Sequence, residues 1–158
     1  MSILPIKIYP EPILSKKGRK LTEEEIASPK IKKLILNMFE TMAQNNGLGL
    51  AAPQIGESIQ LCTINFNGEQ YILVNPKITA ASWRKEVCEE GCLSFPEMFI
   101  PVKRSESVKV KALNEKAEKI KLVASGLLAR ALQHEIDHLN GVLFTSHKVK
   151  MKKPKTLK

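Results

Sequence analysis

Apolar residues along this chain repeat with two different periods, and the switches between them mark out the elements. From Pro29 onward, Ile31, Leu34, Ile35, Met38 and Met42 recur at helical spacing. Ser28 and Pro29 read as an N-cap and first helical residue, and Asn46-Gly47 as a stop, so an amphipathic helix is expected from about Pro29 to Gln44. Upstream, Pro5, Pro10 and Pro12 keep the first dozen residues irregular or extended. Thr22 and Glu25 have capping-box spacing, but Pro29 follows too soon for a long helix there. The middle of the chain reads as strands. Ile59–Ile64 and Gln70–Val74 flank the hairpin signal Asn67-Gly68, and Arg84–Glu89, Glu106–Leu113 and Lys119–Val123 follow, the last two separated around Asn114. A second helix is expected from about Ser125 to Asn140, with Gly141 as its C′ residue. Leu128, Leu132, Ile136 and Leu139 share one side of it; His134, His138, Leu127 and Ala131 share the other. Little of its surface is left for solvent, so it is expected to be central, packed on one face and turned toward a site on the other.

The two histidines supply the chemistry of that second face. In the segment His134-Glu135-Ile136-Asp137-His138 they stand four residues apart, about one helical turn, and two imidazoles at that spacing can reach one tetrahedral ion. Glu135 is rotated away from the ion but close enough to handle the proton of an activated water. The bland reading, two surface histidines on an ordinary helix, fits poorly with apolar residues on both sides. Helix, strands joined by short turns, then helix predicts an α+β fold: antiparallel β-sheets packed around a central metal-binding helix, with an N-terminal amphipathic helix.

A catalytic site of this kind needs a third protein ligand. The long metzincin pattern fails, because Phe144 stands where its third histidine would fall. No Asp or Glu follows Asp137, and His147 opens a lysine-rich end, so the ligand is expected upstream. Cys92, in Glu90-Gly91-Cys92-Leu93-Ser94, is preferred: the adjacent glycine lets the backbone turn tightly near an ion. Cys88 lies within a strand pattern, and Cys62 alternates with apolar neighbours as a small core residue would. Three cysteines at irregular spacing argue against a disulfide framework and for a reducing compartment. The roles of Asp137, Arg130 and Arg104 stay open between structural partners of the site and exposed charges.

Length and charge bound the rest. At 158 residues with 43% hydrophobic content, one domain with a real core is expected. The N-terminus lacks the pattern of a secretory signal, and no apolar run is long enough to span a membrane, so a cytoplasmic protein with no membrane partner is expected. The net charge of +9 is concentrated at the end: without Lys148, Lys150, Lys152, Lys153, Lys155 and Lys158 it falls to +3. The chain therefore divides into a domain over residues 1–147 and a basic tail over 148–158. The tail reads as a solubilising end or as a polyanion contact such as the ribosome.

Gly47-Leu48-Gly49-Leu50-Ala51-Ala52-Pro53-Gln54 on its own reads as a tight helix-to-strand connection. Taken in order, Gly47–Gln54, Glu90–Ser94 and Gln133–Gly141 closely resemble the three signature motifs of peptide deformylases, and the likeness runs from about Ile6 to Phe144. The resemblance implies removal of the N-formyl group from the initiator formyl-methionine of nascent polypeptides by metal-hydroxide attack, releasing formate. It implies Cys92, His134 and His138 as metal ligands, Glu135 as general acid/base, and Gln54 with the backbone N–H of Leu93 as oxyanion donors. It implies one divalent ion, Fe²⁺ first, with Zn²⁺, Ni²⁺ or Co²⁺ as alternatives. Gly49 would pair with the peptide backbone and Leu48 would wall the methionine pocket; Leu127 and Ala131, on the histidine side of the helix, are expected to line it too. Where many relatives carry arginine or tyrosine seven residues past the cysteine, this chain has Phe99, which implies an apolar rim.

Two other functions remain open. A different H-E-x-x-H metallopeptidase would share the chemistry but need another third ligand. A non-catalytic RNA- or ribosome-binding domain with a structural metal would need a fourth ligand. Five Phe, two Tyr and one Trp are also too few for aromatic stacking platforms, and no DNA partner is expected.

Overall fold

Thr22 and Glu25 form both halves of the capping box: the Glu25 N–H donates to Thr22 Oγ1 at 3.2 Å and the Thr22 N–H to Glu25 Oε2 at 2.8 Å. In this computed structural model, which describes residues 2–150, that cap starts a short helix α1 (Glu23–Ala27). Lys152, Lys153, Lys155 and Lys158 of the expected tail lie outside the described residues. Ser28 ends α1 and caps α2 (Pro29–Gln44), accepting the Ile31 N–H, and Asn46 in the left-handed region turns the chain out of it.

The strands are β1 (Gly49–Ala51), β2 (Leu61–Phe66), β3 (Glu69–Ala81), β4 (Lys85–Cys92), β5 (Phe95–Ser105), β6 (Ser107–Leu113) and β7 (Lys119–Ser125); helix α3 (Gly126–Leu139) follows. Every pairing between these strands is antiparallel. Five strands form one sheet in the order β1-β2-β3-β6-β7, while β4 and β5 form a separate ribbon. The main sheet is covered on both faces. On one, Ile64, Leu73, Val110 and Ala124 pack with Leu132, Ile136 and Leu139 of α3. On the other, Leu50, Leu61 and Val74 pack with Ile31, Ile35, Met38 and Met42 of α2. The α+β expectation, with antiparallel sheets around the histidine helix, matches this architecture, and Leu128, Leu132, Ile136 and Leu139 do share its core side.

Several boundaries differ from those expected, for local reasons. The expected Gln70–Val74 strand continues to Ala81 through register shifts around Asn75 and Pro76. There Asn75, with φ 51°, uses its side chain to bond Leu21 through both N–H and C=O. Strand β5 was not anticipated, because Pro96 and Pro101 punctuate its sequence; a two-stranded ribbon has only edge strands, where proline is tolerated. Among the described residues, no helix is long and apolar enough to cross a membrane.

Candidate active site

Three elements distant in sequence meet at one point. Helix α3 carries His134, Glu135 and His138, all buried; the end of β4 carries Cys92; the short turn Ala52–Ile55 after β1 carries Gln54. Gln133 anchors α3 against β5, its amide accepting from the Ser105 N–H and donating to the Ser105 C=O.

Cys92 Sγ lies 3.2 Å from His138 Nε2, and the donor atoms of Cys92, His134 and His138 lie within 4.8 Å of one another. A tetrahedral ion with sulfur and nitrogen ligands requires donors roughly 3.3–3.6 Å apart, so these three residues fit a divalent ion with little movement. Burial alone would lower His134, yet contact with Cys92 and Glu90 raises it to about 10. Burial and the neighbouring His134 instead push His138 well below its ordinary value. Among the described residues, no fourth His, Cys, Asp or Glu joins the group, which leaves a position open for chemistry.

Glu135 lies beside this group. Burial is the main cause that raises its carboxyl to about 7, and its Oε2 is buried without a hydrogen-bond partner. A group poised near neutrality, with an unused oxygen, suits proton transfer. Gly49 is fitted to it: a Cβ there would stand 2.8 Å from Glu135 Cδ. Gln54 is held in one orientation. Its Oε1 accepts the Ala51 N–H at 2.9 Å, so its Nε2 faces Cys92 Sγ at 3.6 Å and Ser94 Oγ at 3.2 Å. Leu93 occupies the tight turn between β4 and β5.

A cleft of about 630 Å³ opens over these groups, and Leu48, Gly49, Leu93, Phe99, Leu127 and Ala131 all line it. Phe99 and Leu127 form an exposed apolar rim, and a Cβ on Gly91 would strike the Phe99 ring at 2.7 Å. Strand β1 borders the cleft as the edge of its sheet, its outer side unpaired among the described residues.

Sequence reasoning gave no role to Glu90, which proves to be the hub behind the ligands. Its Oε2 lies 3.0 Å from His134 Nδ1, while Arg104 and Arg130 donate to its Oε1 at 3.0 and 2.8 Å. Burial would raise the carboxyl; His134 and Arg104 outweigh it and hold it at about 2. With Nδ1 engaged, the ring of His134 presents Nε2 to the centre. Arg104 also bonds Asp137, which resolves two residues left open by sequence as parts of one network. Arg130 adds bonds to Val102 O and Glu86 O, joining α3 to both strands of the ribbon. His147 Nε2 comes within 3.0 Å of Asp137 but is not aligned as a hydrogen bond. The one available signal for Glu90 was a carboxylate two residues before a ligand.

An open Cys-His-His centre with a buried acid beside it and a polar donor facing it defines the class: a metal-dependent hydrolase. A family model described as polypeptide deformylase matches residues 3–154. The chain is 45% identical over 148 residues to the peptide deformylase of Thermodesulfovibrio yellowstonii, covering 90% of this chain and 87% of that one. It superposes on the crystal structure of peptide deformylase from Thermotoga maritima with a TM-score of 0.91 at 37% identity, over 95% of this chain and 100% of that one. A Met-Ala-Ser-bound class I type b peptide deformylase from Acinetobacter baumannii gives 0.89 at 35% identity, over 92% and 98%. This chain belongs to the polypeptide deformylase family.

Proposed function

We propose that this enzyme removes the formyl group from N-formyl-methionyl peptides, with Cys92, His134 and His138 holding one divalent ion, Fe²⁺ in preference to Zn²⁺, Ni²⁺ or Co²⁺. The observation that carries this reading is a three-donor group lying against the buried, partnerless Oε2 of Glu135, in a cleft bordered by an unpaired strand edge. When bound, the ion supplies Lewis acidity that acidifies water and polarises a carbonyl.

The peptide lies along the outer edge of β1, its backbone pairing at Gly49. Its methionine side chain enters an apolar pocket walled by Leu48, Leu127 and Ala131, and Phe99 meets a following side chain at the rim. Gln54 Nε2 and the Leu93 N–H donate to the oxyanion that develops as water adds to the formyl carbon; losing one such donor typically costs about 10²–10³ in rate. Glu135 takes the proton released by that water. It returns the proton to the amine nitrogen as the C–N bond breaks, leaving formate and a free N-terminus. Residues 1–147 carry this chemistry. The lysine-rich end, residues 148–158, serves as a solubilising segment or as a polyanion contact such as the ribosome, and the enzyme works in the cytoplasm, where formylated chains are made.

The test compares three substrates on protein kept iron-loaded and anaerobic: a formyl-Met peptide, its acetyl counterpart, and a peptide cleavable only at an internal bond. Deformylation that disappears in Glu135→Gln with metal content unchanged supports the reading. Internal cleavage without deformylation overturns it in favour of a metallopeptidase.

A further inference from the structure

Among the described residues, the face of the main sheet that α2 covers over β1 and β2 is uncovered over β6, β7 and the far half of β3. Its outward positions follow from register. Ile78, Val110 and Leu122 stand side by side toward the α3 core. Lys77, Lys111 and Lys121, one residue along in the pairing, therefore stand side by side on the opposite, exposed face. Lys109 and Lys119 project from the same face two residues away on their strands.

The outward positions of these three strand segments hold five lysines and no acid. Glu118, in the adjoining turn, is engaged by the Asn114 amide at 2.7 Å; Glu115 lies in the same turn; Glu106, at the other end, faces Arg84. Among the described residues no lysine takes part in any ion pair; arginines and histidines account for all of them. Like charges directly opposite on neighbouring strands repel and destabilise the pairing. Two such pairs in one row, Lys77–Lys111 and Lys111–Lys121, work against the free protein, and an anionic partner would relieve them.

The chemistry of the face narrows that partner. Within the three strand segments Val123 is the one exposed large apolar residue of this face, too little to anchor in a lipid surface, and no arginine or aromatic side chain is among their outward positions; Trp83 and Arg84 lie beyond the end of β3. What remains is a flat grid of cations, about 4.8 Å apart across strands and about 6.8 Å apart along them. A phosphodiester backbone needs only charge at such spacing. The face offers no helix or ribbon to enter a deep groove, which a broad, shallow A-form surface does not require. We propose that the bare face of β3, β6 and β7 docks the phosphate backbone of double-stranded RNA, through the row Lys77, Lys111 and Lys121 flanked by Lys109 and Lys119. The surface is separate from the catalytic cleft, and the proposal does not depend on the activity assigned to that cleft.

The experiment measures binding of the full chain to a short RNA duplex across a salt series, in three forms: the parent, Lys77→Gln/Lys111→Gln/Lys121→Gln, and the equal-charge control Lys30→Gln/Lys32→Gln/Lys33→Gln on exposed α2 positions. Each lost phosphate contact lowers the slope of log affinity against log salt by about 0.7–0.9, so the sheet variant should lose about 2–3 from the slope and roughly tenfold or more in affinity at about 50 mM salt. The control should lose clearly less. Hydrolysis of a formyl-Met peptide should be unchanged in the sheet variant, and its thermal midpoint should equal or exceed the parent's. Equal losses in the two triple variants, an unchanged slope in the sheet variant, or tighter parent binding to anionic vesicles or a DNA duplex would overturn the proposal.

Discussion

Replacing Gly49 by alanine should cripple catalysis while leaving the protein folded. The added Cβ would meet Glu135 Oε1 most closely of all and would stand 2.8 Å from Cδ and 2.9 Å from Cγ, where ordinary contact begins at 3.4 Å, so something must give by more than about 0.6 Å. The candidate to move is the carboxylate, since Gly49 is fixed by its pairing with Ile64 and Glu135 projects from a helix whose far side is locked in the core. Misplacing a reacting group by that order of distance costs about 10² in rate, or roughly 2.7 kcal/mol of transition-state stabilisation. Steady-state kinetics on a formyl-Met peptide should therefore show kcat lowered about a hundredfold with KM little changed, because the backbone groups of β1 remain. Metal content and thermal midpoint should stay near the parent's. Gly47→Ala is the contrast: its Cβ meets the tip of the Leu93 side chain at 2.9 Å, which can rotate aside. A Gly49→Ala protein with kcat within a few-fold of the parent would refute the placement of Glu135 as the proton carrier. A raised KM with lowered stability would show that β1 had moved instead.

Glu90→Gln removes the charge that His134, Arg104 and Arg130 share; metal affinity should fall about 10–100-fold in a chelator competition, and an unchanged affinity would break the link between Glu90 and the ligand set. A divalent ion at about a hundredfold excess over its Kd should stabilise the stripped protein by about 2.7 kcal/mol, a rise of about 5–10 °C in thermal midpoint. That rise should vanish in Cys92→Ser; a full rise there would exclude the thiol from the centre. Glu25, bonded by Arg19, has its carboxyl lowered to about 2 in the fold. A depressed carboxylate stabilises above its unfolded pKa, so the advantage of the parent over Glu25→Gln should be full above about pH 4.5 and disappear as pH falls toward about 2. Chemical denaturation at a series of pH values reads this out, and a difference that grows on acidification would contradict it.

How much of this was legible depended on how far apart in sequence the cooperating residues lie. Helix α2 and helix α3 each carry their evidence locally, in periodicity and caps, and the two histidines declare themselves because one turn of one helix brings them together. Elimination placed the third ligand upstream, since nothing acidic follows Asp137, and the neighbouring Gly91 favoured Cys92 over Cys88. Strand β5 carried no local evidence: Pro96 and Pro101 interrupt its pattern, and it is a strand only because β4 pairs with it residue by residue from Lys85–Ser105 to Gly91–Phe99. That pairing is also what hid the support of the site. Glu90 on β4 meets Arg104 on β5 and Arg130 and His134 on α3 only after the ribbon has folded against the helix, so its place two residues before Cys92 could not reveal those partners. The same holds for Gly49. Its need to be glycine comes from the carboxylate of Glu135, eighty-six residues later, and its backbone dihedrals make no such demand. The residues proposed to hold the metal and move the proton are thus readable as types in patterns, whereas the demands that fix their positions are readable only from the packing of β1, β4 and β5 around α3. Substitutions at Gly49 and Glu90, although neither residue handles a proton or completes the metal's coordination, should separate positioning from chemistry more cleanly than removal of any ligand.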